Sequence, residues 1–356
     1  MGETNKPFKG KVLLTGGSGF IASHILDVLL EAGFEVVATA RSDAKGHGIV
    51  EGVKPAFRSS ATYSIVADVA KEGVFDTVLR SHGPFDYVIH TASPYHNNVQ
   101  DPVKDFLDPA IKGTTGLLKS IRENAPTVMR VVFLSSSAAI LNPGNHAKVY
   151  DETYWAPMTW EEAMVPKNTY RASKIFSEEA AWNFISHEKP SFDLATINCT
   201  FNFGPIQRAL PHLDNINTSN QRIRDMVLGR MKFGLEPTAP VFTFVDVRDV
   251  AEAHLVAMLL PEAGGERFYV VGGYFSNKRI VDIIREKFPE LGDRLPGGGE
   301  GLGSEDLKDD FPEDVYGFDN SKSRRMLGLK YRGLERVVVD TVQSMLNREG
   351  GLEYDF

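Results

Sequence analysis

A doubly wound α/β fold, a parallel sheet with helices on both faces, is the class this chain predicts. Three observations predict it. The chain opens on an apolar strand, a glycine turn, an amphipathic helix and a second strand. Strand-like and helical segments then alternate to about residue 200, the signature of a parallel sheet. The first strand is a short, continuous apolar run, the pattern of a strand buried on both faces.

The elements follow in order. Val12-Leu13-Leu14 reads as the first strand, and Thr15 to Ala22 as the glycine turn. Ile21, Ile25, Leu26, Leu29 and Leu30 recur at spacings of three and four, which predicts a helix stopped by Gly33. Val36 to Ala40 resumes as a strand and closes a βαβ unit of about thirty residues. Tyr63 to Val66 is a strand, Val74 to Ser81 a helix, and Tyr87 to His90 a strand. A helix from about Asp105 to Asn124 precedes the strand Arg130 to Leu134, which runs into Ser135-Ser136-Ser137. Tyr170 to His187 is a long amphipathic helix and Leu194 to Thr200 a further strand. After Gly204-Pro205 the regularity breaks, and the helix Asp249 to Leu260 reads as a return to the sheet. Shorter elements follow, broken by a glycine-rich run from Pro296 to Gly301. The expected division is a nucleotide-binding domain of 8–205 plus 241–265, with a smaller, discontinuous C-terminal substrate domain of 206–240 plus 266–356.

Composition removes several function classes. The 356 residues carry 39 Lys+Arg against 47 Asp+Glu, a net charge of -8, and no basic block. Nucleic acid and anionic membrane are poor partners for such a chain. No run of about 18 apolar residues occurs, so no membrane span is expected. The polar N-terminus lacks a signal-like apolar stretch, which makes the cytoplasm the expected compartment. The single Cys199 forms no internal disulfide, no His-Glu-x-x-His string occurs, and no metal site is expected.

A glycine turn between a buried strand and a helix directs backbone N–H groups and the positive helix end towards an anion. Gly16 supplies the tight turn, Gly19 lets a pyrophosphate approach the backbone, and Ala22 permits close helix–strand packing. The end of the second strand selects the dinucleotide. NAD sites usually hold a carboxylate there for the ribose hydroxyls. This chain has Ala40, then Arg41, with Lys45 four residues on. A guanidinium grips a phosphate bidentately, so the expected cofactor is NADPH.

Tyr170 and Lys174 are four apart at the start of a helix and share one face. Tyr274 and Lys278 repeat that spacing and serve as an internal control, because no serine-rich strand end precedes them. Ser135 to Ser137, about 35 residues before Tyr170, end a parallel strand, and ligands of open α/β sheets bind beyond such ends. Hydride reduction of a carbonyl leaves an alkoxide that needs a proton as it forms. A phenol of pKa near 10 donates well at neutral pH only with a cation beside it.

Taken together, these strings resemble an extended short-chain dehydrogenase/reductase. The likeness is to the fungal NADPH-dependent aldehyde and methylglyoxal reductases and to plant dihydroflavonol 4-reductase and cinnamoyl-CoA reductase. It rests on Val12 to Ala22, Ala40-Arg41-Ser42, Ala67-Asp68-Val69, His90 to Pro94 and Phe133 to Ser137. Tyr170-Arg171-Ala172-Ser173-Lys174, Phe203-Gly204-Pro205 and Val245 to Ala251 complete it, in the right order over most of the chain. The resemblance implies a Rossmann fold with NADPH held by Gly16, Ser18, Gly19, Phe20, Ile21, Arg41 and Lys45. It implies an adenine contact at Asp68 and Val69, and a loop of Thr91, Ala92 and Ser93 along the middle of the cofactor. Tyr170 matches the proton donor, Lys174 the ribose contact that lowers the phenol's pKa, and Ser136, among the three serines, the hydroxyl that positions the carbonyl. Cys199 stands beside the nicotinamide where the family usually has proline, and Asn202 where an apolar residue is usual.

The expected function is reduction of aldehydes and ketones to alcohols by a monomer or homodimer acting on a small-molecule carbonyl substrate. Two alternatives are a sugar-nucleotide epimerase or dehydratase, which typically retains bound NAD, and a non-catalytic dinucleotide-sensing regulator. Arg41 opposes the first, and the presence of Ser136, Tyr170 and Lys174 together opposes the second.

Overall fold

The computed structural model describes residues 9–93, 101–207, 210, 212–297 and 307–349. Residues 298–301 of the glycine-rich run and the outer ends of both expected domains lie outside these described residues.

The first half is built as β1 (Lys11–Thr15), α1 (Phe20–Glu31), β2 (Glu35–Ala40), α2 (Asp43–Gly52), β3 (Ala61–Ile65), α3 (Asp76–His82) and β4 (Tyr87–His90). Next come α4 (Asp108–Asn124), β5 (Arg130–Ser136), β6 (Val149–Tyr150), α5 (Trp160–Ala163), α6 (Thr169–Glu188) and β7 (Asp193–Cys199). The remainder comprises β8 (Phe201–Phe203), α7 (Thr218–Val227), β9 (Thr243–Asp246), α8 (Val247–Leu259), β10 (Arg267–Val270) and β11 (Gly273–Tyr274). It ends with α9 (Asn277–Lys287), β12 (Gly317–Phe318), α10 (Ser321–Met326) and α11 (Leu334–Glu349).

Seven strands form the main sheet in the order β10-β7-β5-β4-β1-β2-β3, and every pair is parallel. Burial on both faces follows from strand geometry, since successive side chains point to opposite sides. Val12 and Leu14 of β1 therefore enter one hydrophobic layer, with α1 and α8, while Leu13 enters the other, with α3 and α4. Each such fully buried aliphatic side chain contributes about 1.5–3 kcal/mol.

A second, three-stranded sheet runs β11-β9-β8, with α7, α9 and α11 packed on it around Phe203, Phe244 and Phe275. Only Thr200 separates β7 in the main sheet from β8 in the small one. The chain returns at Asp246, whose carboxylate caps α8 by accepting from the Arg248 N–H at 2.8 Å.

Three features differ from the sequence reading. The expected domain boundary at 265/266 does not follow the sheets. Arg267–Val270 is the edge strand of the main sheet, while Thr243–Asp246 belongs to the small one. Both runs are short and buried throughout, and only hydrogen-bonded partners distinguish the sheets they join. Helix α2 was not expected, because its glycines interrupt any apolar stripe. Gly46 is required there, since a Cβ would overlap the Tyr63 ring. Helices α7 and α11 were also missed, and they acquire buried faces only against the small sheet.

Candidate active site

The loops at the C-terminal ends of β1, β2, β4, β5 and β7 build the site. After β1 the chain turns at Gly16, whose φ of 69° favours glycine and whose absent Cβ would lie 2.9 Å from the Ala92 Cα. Gly17 is equally constrained, because a Cβ there would meet Ala38 of β2 at 2.7 Å. Ser18 and Gly19 are exposed, and Gly19 caps the twelve-residue α1 without any side-chain hydrogen bond. The first-turn N–H groups, including those of Phe20 and Ile21, are thus offered to a ligand by a helix with no acidic residue in that turn. Ala22 is buried against the sheet.

Beyond β2, Arg41 and Lys45 are exposed, Lys45 in the first turns of α2. The nearest acid, Asp43, already accepts from the Tyr63 hydroxyl at 2.8 Å. A phosphate suits this corner better than a ribose diol. Asp68 is exposed and accepts from the Ala70 N–H at 2.9 Å, while Val69 packs where a Cβ on Gly113 of α4 would stand.

Thr15 and His90 organise the loop after β4. The Thr15 hydroxyl accepts from the N–H groups of Thr91 and Ala92 at 3.1 and 3.2 Å and lies 2.7 Å from His90 Nδ1. With two N–H groups on its lone pairs, its one hydrogen goes to Nδ1. His90 is therefore neutral, in keeping with burial, which pushes its pKa down to about 3. Ser93 shares a small cavity with His90, Thr114, Lys174 and Ser177.

The three serines are placed differently. Ser135 is buried and its hydroxyl donates to Glu178. Ser137 is also buried. Ser136 ends β5 half-buried, and its oxygen accepts from the Ala138 N–H at 3.1 Å, which leaves its own hydrogen to donate. Cys199 is the register partner of Ser136 on β7. Its thiol is buried, donates towards the Ser135 carbonyl at 3.7 Å and accepts from Asn202 Nδ2 at 3.3 Å. Burial pushes that thiol's pKa up, and the thiol packs between the Ser135 carbonyl and the Asn202 amide. The two positions that differ from the family pattern, Cys199 and Asn202, are thus bonded to each other.

Tyr170 and Lys174 stand in the first two turns of α6, which packs against the turn following Ser136. Tyr170 is 39% exposed, whereas Lys174 is buried with its ammonium 5.9 Å from the centre of the Tyr170 ring. Burial lowers the lysine pKa to about 8. The control pair does not converge: Tyr274 is in β11 and donates to the Tyr316 carbonyl, while Lys278 in α9 pairs with Asp282. Sequence reasoning missed Gly17, the Thr15–His90 pair and Glu178. A carboxylate at i+4 from Lys174, on the buried stripe of a helix, was the signal available for the last.

Among the described residues no cluster of three or more metal-ligating side chains is found, and no helix is long and apolar enough to cross a membrane.

A parallel sheet with a glycine turn after β1, Arg41 directly after β2, and Tyr170 and Lys174 on a helix packed on the turn after Ser136 is the arrangement of a dinucleotide-dependent short-chain dehydrogenase/reductase of the extended type. The chain belongs to the NAD dependent epimerase/dehydratase family, whose model matches residues 12–272. It is 56% identical over 338 residues to the ketoreductase azaE of Aspergillus niger, covering 95% of this chain and 98% of that one. It is 35% identical over 353 residues to the NADPH-dependent methylglyoxal reductase GRE2 of Saccharomyces cerevisiae, covering 95% and 99%. The crystal structure of Candida albicans Gre2 in complex with NADPH superposes with a TM-score of 0.85 at 36% identity, covering 96% of this chain and 99% of that one.

Proposed function

We propose that this protein is an NADPH-dependent carbonyl reductase that converts aldehydes or ketones to alcohols. The observation that carries the reading is Lys174 held beside the Tyr170 ring on α6, which packs on the turn that follows Ser136, with the Tyr170 ring reaching solvent. The Arg41 corner and the names of the relatives support the cofactor and the reaction class.

The bound dinucleotide supplies the hydride. The chain supplies the proton and the geometry. Gly16, Gly19 and the α1 N-terminus would hold the pyrophosphate, Arg41 and Lys45 the 2′-phosphate, Asp68 and Val69 the adenine, and the Thr91–Ser93 loop the middle. The Ser136 hydroxyl donates to the carbonyl oxygen and fixes it beside the Tyr170 hydroxyl. Tyr170 then protonates that oxygen as negative charge develops on it. The Lys174 ammonium beside the Tyr170 ring favours the phenolate that is left when the proton is given up. Its buried, free-thiol companion Cys199 suits a reducing cytoplasm.

The test is NADPH oxidation measured against a panel of aldehydes, diketones and aryl ketones. Turnover of at least one class, with NADPH preferred over NADH, is the expected result. Preference for NADH, or purified protein carrying stoichiometric bound NAD, would favour an epimerase or dehydratase instead.

A further inference from the structure

The chemistry above gives no part to Glu178, yet it is the most heavily bonded buried acid near the site. It lies on α6 one turn beyond Lys174 and is fully buried. Its carboxylate gathers donors from three adjacent strands. Oε2 accepts from the Ser135 hydroxyl of β5 and from Asn198 Nδ2 of β7 at 2.7 Å. Oε1 accepts from Arg267 Nε of β10 at 2.7 Å, with the Thr196 hydroxyl at 3.2 Å. Ser135 and Asn198 are register partners, each one residue before a site position, Ser136 and Cys199. The Asn198 amide also reaches the Ser136 carbonyl at 3.4 Å. Arg267 carries the connection outward, donating to the carbonyls of Glu152 and Tyr154 and lying 3.8 Å from the Trp155 ring centre.

We propose that Glu178 is a positioning residue, which locks α6 onto the ends of β5 and β7 so that Tyr170 and Lys174 meet Ser136. The proposal rests on the site reading given above. A buried ion pair is a poor source of stability, since apolar residues of equal volume commonly replace one at no cost. Its value here is directional. One carboxylate joins the helix that bears two of the reacting groups to the strand residue next to the third. A displacement of about 1 Å between such groups costs on the order of a hundredfold in rate.

Glu178→Gln is the sharpest variant because it keeps the volume. If its amide oxygen stays on Arg267, its NH2 faces Asn198 Nδ2, donor against donor, and Asn198 must turn away from Ser136. The disturbance is thus directed at the Ser136 side. Relative to the folded protein, kcat for carbonyl reduction should fall about 10- to 100-fold. KM and the NADPH dissociation constant, by fluorescence titration, should stay within about threefold. The alkaline limb of the kcat/KM profile should also move, because the Tyr170–Lys174 pair shifts against Ser136. Ser135→Ala removes a single bond of the network and should lower kcat about three- to tenfold. It decides the matter if Glu178→Gln fails to fold. Tyr170→Phe is run beside them. Full activity in Tyr170→Phe would overturn the site reading itself. An inactive Tyr170→Phe, with folded Glu178 and Ser135 variants that keep the parental kcat and pH profile, would overturn the positioning proposal alone. Lower melting temperature without a change in kcat would likewise assign the network to stability only.

Discussion

The two sheets of this molecule satisfy their polar groups in different ways. In the main sheet every strand is parallel to its neighbours, and the ligand-facing ends combine backbone, in the Gly16 turn and the open first turn of α1, with paired side chains, the Thr15 hydroxyl under the Thr91 and Ala92 amides and the Glu178 carboxylate on Ser135 and Asn198. In the small sheet, asparagine amides cover the strand carbonyls and are themselves left half-satisfied. Alternate carbonyls along β8 and just beyond it, those of Thr200, Asn202 and Gly204, accept from the amides of Asn202, Asn217 and Asn220 at 2.8, 3.3 and 2.9 Å. The amide oxygens of all three asparagines are then left buried without partners, as is Arg222 Nε. A buried unpaired polar atom costs about 1–3 kcal/mol. The two regions thus differ in degree: the Glu178 network around β5 and β7 pairs both carboxylate oxygens and leaves Arg267 Nη2 unpaired, whereas each of the three asparagines around β8 leaves its amide oxygen unpaired.

That contrast can be broken experimentally, and the largest effect is expected at the proposed proton donor beside the main sheet. Tyr170→Phe should lower turnover by about 10²–10⁴-fold, as for loss of a general acid, while NADPH binding measured by fluorescence stays within about threefold. Retention of most activity would remove the proton donor from the proposed mechanism. Arg41→Ala should weaken NADPH about 10- to 100-fold, since a charge-assisted hydrogen bond is worth roughly 1.5–3 kcal/mol, and leave NADH unchanged. Equal loss for both cofactors would mean that Arg41 supports the fold of the corner and not a phosphate.

The pH dependence gives a graded test. Lys174 is a cation below about 8 and neutral above it. kcat/KM for reduction should therefore fall as pH rises through that value, by up to about tenfold per unit. Lys174→Arg, whose guanidinium stays charged, should push this limb upward even at reduced activity. An unmoved limb would assign it to another group. The smallest effect belongs to the small sheet. Asn202→Val gives up bonds to the Thr200 carbonyl and Cys199 but removes an unpaired buried oxygen, so the unfolding free energy should change by no more than about 1 kcal/mol. A loss of several kcal/mol in a denaturant titration would show that β8 is no less tightly satisfied than the main sheet.

Legibility in the sequence tracks the same division. Six of the seven main-sheet strands and α1, α3, α4, α6 and α8 were readable, because central strands and core-facing helices obey short periodicities and glycine punctuation. The three serines could be located, but which one faces a ligand depended on where each hydroxyl points. Helices α7 and α11 and strands β8 and β9 were not legible, since their apolar residues form a face only when separate segments of the chain are brought against one another, as Phe201 is against Phe244 and α7 against α11.

The sequence by itself determined the class of fold, the glycine turn after β1, the Arg41 that follows β2 and the Tyr170–Lys174 spacing, because each depends on neighbours within a few residues. Tertiary structure decided that Arg267–Val270 joins the main sheet, that Thr15 holds His90 neutral, that Cys199 bonds Asn202, and that Glu178 binds three strands at once. The Cys199–Asn202 bond spans only three residues but needs the switch from β7 to β8 between the two sheets, and the others depend on partners distant in the chain, whose hydrogen bonds and burial come into being only when the sheets and helices close on each other.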